Sequence, residues 1–180
     1  MKEVEMHKSQ HVILTPVCED DLPLLFEWIN NREQVLFNAP YKPVHEIQHQ
    51  QWFISIIQRN DVAIFGIRSQ DTQTLIGTCQ LHSINLIHRN AELQIRIGRI
   101  QERNKGYGSE AVDLLLKYAF RDLNLHRVYL HVFANNTAAI RAYEKNGFTQ
   151  EGMERQAAFI DGEFRDVIEM AILRNEYDKR

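Results

Sequence analysis

Residues 91–132 constrain this chain most. Ala91 to Gly98 alternates strictly, with Leu93, Ile95 and Ile97 on one face and Glu92, Gln94 and Arg96 on the other, the period of a strand. The loop Arg103-Asn104-Lys105-Gly106-Tyr107-Gly108 follows, after which Ala111, Val112, Leu115, Leu116 and Ala119 form a broad apolar helix face. Val128, Leu130 and Val132 mark another strand. Strand, helix, strand predicts a parallel pair, because parallel neighbours need a crossover and cannot be joined by a tight turn.

The rest of the chain dresses that unit. His11 to Val17 reads as a first strand, and the acids Glu19-Asp20-Asp21 open a helix running to about Asn30. From Val44 to Ile57 the residues Ile47, Phe53, Ile54 and Ile57, with Trp52 beside them, predict a second amphipathic helix. Trp52 and Phe53 read as helix packing. Val62–Arg68 and Leu75–Leu81 form a hairpin, Asn136 to Lys145 a short helix stopped by Asn146-Gly147, and a last pair of strands flanks Asp161-Gly162. The fold class that results is mixed α/β: a mostly antiparallel sheet of six to seven strands flanked by about four helices.

With 180 residues, 44% of them hydrophobic, the chain can bury one sizeable core. The expected organisation is a single domain over residues 10–176 behind a flexible segment of residues 1–9, and the last few residues also read as frayed. A net charge of -3 provides no basic field for nucleic acid or an anionic membrane. The first eight residues alternate charged and apolar side chains, and no apolar stretch approaches a membrane span. The expected setting is therefore cytoplasmic, and two isolated cysteines, Cys18 and Cys79, fit a reducing compartment. His45 and His49 are four apart on a helix but lack a third ligand, so no metal is expected.

A glycine-rich loop that opens a helix exposes successive backbone N–H groups, which with the positive end of the helix dipole bind a pyrophosphate. Gly106 and Gly108 let the backbone approach the anion, and Arg103 and Lys105 add charge. A solvated basic loop with turn glycines is the alternative. Gly106 to Ala111 also fits the dinucleotide pattern G-x-G-x-x-G/A, but the preceding strand ends near Gly98, too far back for the tight turn that pattern requires. No G-x-x-x-x-G-K-[ST] segment exists.

Arg103-x-x-Gly106-x-Gly108, followed by Asn136-x-x-Ala139-Ile140-x-x-Tyr143-x-x-x-Gly147-Phe148, resembles the two signature segments of the GNAT family of N-acetyltransferases, in their order and separation. Within the family, Ile84 to Ile95 and Phe159 to Asp166 look most like the branch of ribosomal-protein-alanine and spermidine acetyltransferases. Where the spermidine group is acidic after the first helix, this chain has Phe37-Asn38-Ala39-Pro40-Tyr41-Lys42. The resemblance implies the GNAT fold, acetyl-CoA as co-substrate and a homo-oligomer, dimer or larger.

It also implies roles. Backbone groups of Gln94, Ile95, Arg96 and Ile97 would meet the acetyl carbonyl and pantetheine, Arg103, Asn104, Lys105, Gly106, Tyr107, Gly108 and Ser109 the pyrophosphate, and Asn136 the pantetheine arm. Tyr143 would be the general acid for the departing thiolate, against the alternative of a packed helix tyrosine. Glu92 is the candidate base for the amine; a solvated face with a Glu92–Arg96 pair is the alternative. The expected reaction is direct attack by a primary amine of a small molecule, a polyamine or amino sugar. A protein N-terminus as acceptor, or a non-catalytic acetyl-CoA-binding module, are the competing readings.

Overall fold

The computed structural model describes residues 8–180. Most of the expected flexible segment, residues 1–7, lies outside the described residues; of its last two, Lys8 bridges to Ile13 and the Ser9 hydroxyl donates to Glu110 Oε2 at 2.5 Å. β1 (Val12–Pro16) leads through a short 3₁₀ turn into α1 (Leu22–Asn30), α2 (Arg32–Val35) and α3 (Glu46–Ile57). β2 (Ala63–Ser69), β3 (Leu75–Asn85) and β4 (Asn90–Ile97) follow, then α4 (Tyr107–Lys117), β5 (Arg127–Phe133) and α5 (Thr137–Lys145). β6 (Thr149–Ile160), β7 (Glu163–Leu173) and α6 (Arg174–Tyr177) close the chain.

The strands form one seven-stranded sheet in the order β1-β2-β3-β4-β5-β7-β6. Every pairing is antiparallel except β4 with β5, the pair that the crossover through α4 requires. Asp161 and Gly162 both take positive φ at the β6–β7 turn, the conformation a two-residue hairpin demands. Helices cover both faces. The main core sits on one, where Val112, Leu115 and Leu116 of α4 pack on Leu81, Leu93, Val128 and Leu130. A smaller core on the other joins Leu25 and Trp28 of α1 to Phe53 and Ile56 of α3, with Leu75 beneath.

Two local expectations differ from what is found. The buried side of α3 carries His49, Phe53 and Ile56, whereas Ile47, Ile54 and Ile57 are 68%, 55% and 58% exposed. Apolar residues on both sides of this helix leave its periodicity without a single answer, and the partner surface decides. The C-terminal residues are tied down. Arg180 donates to the carbonyl of Asn146 at 3.1 Å and pairs with Asp113 at 3.2 Å. Near the other end, Arg68 of β2 donates to both oxygens of Asp21, at 2.7 and 2.8 Å, and fixes the entry to α1. Removing one member of a buried pair of this kind costs about 3–5 kcal/mol.

Candidate active site

The register between β4 and β5 runs from Asn90↔Arg127 to Glu92↔Tyr129 and stops there. Both strands continue, β4 to Ile97 and β5 to Phe133, so they part beyond Glu92 and the β4 edge facing β5 has no ladder partner. A cavity of about 660 Å³ occupies the fork. Its roof comes from the α1–α3 side as Trp28, Phe37, His49 and Trp52, and its sheet wall from Gln80, Glu92, Gln94, Ile95 and Arg96. Trp28 lies across the end of β4 because Gly98 has no side chain; a Cβ there would stand 2.1 Å from the indole.

Tyr143 reaches the same cavity from α5, on the opposite face of the sheet. It is 7% exposed, packs on Phe148, and its phenolic hydroxyl makes no hydrogen bond among the described residues. Burial pushes its phenol up to about 12, so the proton stays in place at neutral pH. Asn136 caps α5, accepting from the Ala139 N–H at 3.3 Å through its side-chain oxygen, which leaves its amide N–H₂ for the cavity it lines. Cys79 also borders the cavity, but burial pushes its thiol up and away from a nucleophilic thiolate.

The 103–109 loop lies outside the cavity lining. Asn104 and Gly106 adopt φ of 61° and 88°, and Gly106 is the N-cap of α4 with no side chain to bond its free N–H groups. Left-handed residues ahead of an uncapped helix form a concave row of donors. Arg103 joins the loop to the cavity: its Nε donates to the Ile97 carbonyl at 3.1 Å and its guanidinium lies 5.5 Å from the Phe37 ring. Burial, and after it the charge of Arg103, lowers the Arg96 guanidinium below the usual arginine range; burial lowers Arg103 as well. Two partly desolvated cations beside free N–H groups fit the phosphates of coenzyme A. Lys105 turns instead to Glu102 at 3.0 Å. The Tyr107 ring lies tilted beside His11, 6.0 Å between centroids, while Ser109 accepts from Asn146 Nδ2 at 2.9 Å, which couples the loop to the end of α5.

Glu92 does not pair with Arg96. Its Oε1 lies 3.0 Å from His131 Nδ1 and its Oε2 3.6 Å from His82 Nε2. His131 and Trp28 entered no site expectation, since their place depends on which strands and helices meet. Trp52, expected to pack beside Phe53, stacks on His49 at 5.2 Å and faces the cavity. Among the described residues no three His, Cys, Asp or Glu side chains gather as metal ligands.

A family model described as an acetyltransferase (GNAT) domain matches residues 11–149. The chain is 36% identical over 175 residues to the spermidine N(1)-acetyltransferase of Vibrio cholerae serotype O1, covering 96% of this chain and 98% of that protein. Identity to the spermidine N(1)-acetyltransferase of Escherichia coli K12 is 30% over 182 residues, covering 96% and 91%. The crystal structure of the Vibrio cholerae spermidine N-acetyltransferase in complex with CoA and spermine superposes with a TM-score of 0.86 at 32% identity, covering 92% of this chain and 97% of that one.

Proposed function

This chain belongs to the GNAT family and is an acetyl-CoA-dependent N-acetyltransferase, and on that premise we propose that its acceptor is the primary amine of a small molecule, foremost a polyamine. The observation that carries the proposal is the fork between β4 and β5, whose cavity is reached by Tyr143 from one face of the sheet and by Glu92 from the other. Full-length similarity to spermidine N(1)-acetyltransferases supports the polyamine. So do the aromatic walls: Trp28, Phe37 and Trp52 suit a methylene chain and the face of an ammonium group.

Acetyl-CoA supplies a thioester carbonyl as electrophile and a thiolate as leaving group. Residues Gln94 to Ile97 offer the unpaired edge of β4 to the acyl arm, Asn136 its amide, and the loop from Arg103 to Ser109 its N–H groups to the phosphates. Tyr143 protonates the sulfur, and Glu92 serves the amine side. Direct attack by the amine needs no acyl-enzyme, and burial, which pushes the Cys79 thiol up, keeps the cysteine that borders the cavity from serving as a nucleophile.

The reading places the protein in the cytoplasm. It is supported by two free cysteines and by the lack, among the described residues, of a helix long and apolar enough to cross a membrane. It also includes self-association through the exposed outer row of α3. Thiol release from acetyl-CoA with a panel of spermidine, spermine, an amino sugar and an Ala-initiated peptide tests the acceptor. Turnover is expected to be highest with the polyamines, and preference for the peptide would overturn the assignment.

A further inference from the structure

On the α1–α3 face of the sheet one transverse row crosses three strands. His82 on β3 stands opposite Glu92 on β4, Glu92 stands beside Tyr129 on β5, and His131 follows two places along β5 on the same face. Both oxygens of Glu92 are turned to imidazoles, Oε1 to His131 Nδ1 at 3.0 Å and Oε2 to His82 Nε2 at 3.6 Å. His82 Nε2 is buried without a hydrogen-bond partner. His131 is the accessible member, with 37% of its side chain exposed against 18% for Glu92, and it lines the cavity.

We propose that Nε2 of His131 takes the proton of the acceptor's ammonium group while Glu92 holds the ring. A carboxylate only accepts, so the bond at Nδ1 places the imidazole proton there and leaves the lone pair on Nε2. This inference rests on the acetyl-transfer reading and deepens it: His131 becomes a catalytic residue and Glu92 its positioning residue. The location suits the chemistry. β4 and β5 part at Glu92 and Tyr129, so His131 stands on β5 just past the fork, while Tyr143 enters the fork from the other face. A proton leaves nitrogen on one side and another reaches sulfur on the other.

The protons balance. The acceptor arrives as R–NH₃⁺ and gives one proton to His131 Nε2; the freed lone pair attacks the thioester carbonyl, and the C–N bond forms as the C–S bond breaks. Tyr143 gives its phenolic proton to the sulfur and regains one from the attacking nitrogen. His131 returns its proton to water, so the products are amide, thiol and one proton.

Several titratable or charged groups face this ring. They are Glu92 and His82 from β4 and β3, Tyr129 at 6.0 Å on β5, Glu169 opposite on β7, and His49 and Arg96 in the cavity wall. The test therefore follows kcat against pH, at saturation in acetyl-CoA and in the best amine of the panel, for the wild-type chain and for His131→Ala. The wild type is expected to rise and level off. His131→Ala should lose about a hundredfold at neutral pH, show a rate that climbs with hydroxide without levelling, recover on addition of imidazole, and bind acetyl-CoA as before. His131→Asn, which can still donate to Glu92, provides the second variant should His131→Ala fold poorly. A His131 variant that binds acetyl-CoA and keeps the wild-type turnover and pH profile overturns the inference alone. A wild type that binds acetyl-CoA and acetylates no amine overturns the transfer reading, and this inference with it.

Discussion

Tyr143 packs on Phe148 and is the proposed acid, and a single substitution separates the packing from the proposed role. In the proposed reaction its phenol, held up to about 12 by burial, would keep its proton until charge builds on sulfur, which would tie proton transfer to C–S cleavage. Tyr143→Phe preserves the ring against Phe148 and removes only the hydroxyl. Turnover should fall about a hundredfold with acetyl-CoA affinity unchanged, as read by steady-state kinetics and calorimetry; unaltered turnover would remove Tyr143 from the mechanism. The same shift makes a stability prediction. The folded-state pKa lies above the ordinary 10, so the contribution is complete below pH 10 and is lost as pH rises through about 12. Its size is about 3 kcal/mol. Denaturant melts of Tyr143→Phe should show a shallower alkaline loss, with a remainder because burial raises Tyr118, Tyr129 and Tyr177 too.

At the scale of elements, the loop into α4 assigns its two glycines different duties. Gly106 takes φ of 88° with open space around its missing Cβ, so Gly106→Ala suffers backbone strain of about 1–2 kcal/mol and no clash. Gly108 lies within α4, and a Cβ there would rest 3.7 Å from Ile97, an ordinary contact. Gly108→Ala should therefore raise the melting stability by up to about 1 kcal/mol through helix propensity. Gly106→Ala should bind acetyl-CoA about tenfold more weakly, a difference of about 1.4 kcal/mol, because strain at its left-handed φ would distort the proposed phosphate loop, whereas Gly108→Ala, whose methyl group turns to Ile97, should keep its affinity. A Gly106→Ala protein with wild-type affinity for acetyl-CoA would show that the loop is only a turn. The loop's motif was legible from its residues, since turn chemistry and an apolar helix face are local signals. Its pairings were not: Lys105 is spent on Glu102, and Arg103 reaches back to Ile97.

Across the whole molecule, burial is distributed by which surfaces meet. α3 places His49, Phe53 and Ile56 against α1 and leaves an apolar outer row of Ile47, Ile54 and Ile57. Exposed rows of this kind mark association sites. Wild-type chain is expected to sediment as a dimer or larger assembly, and Ile47→Glu with Ile54→Glu as a smaller species that still binds acetyl-CoA. Sedimentation velocity decides it, and a wild type that stays monomeric at micromolar concentration would dismiss the row as an interface.

The residues by themselves determined the main strands and helices, the parallel crossover, the hairpin at Asp161-Gly162 and the glycine turn that opens α4, though not the short α2 and α6, because alternation, helical period and turn propensity act over a few neighbours. They also carried the spacing that joins Gly106 to Tyr143. Only the tertiary structure decided where β4 and β5 part, which side of α3 is buried, that Trp52 faces a cavity, and that Glu92 meets His131 rather than Arg96. Each of these depends on strand register and helix placement between residues distant in the chain. A one-residue slip would turn Glu92 and His131 to opposite faces, and no local pattern at either residue records the choice.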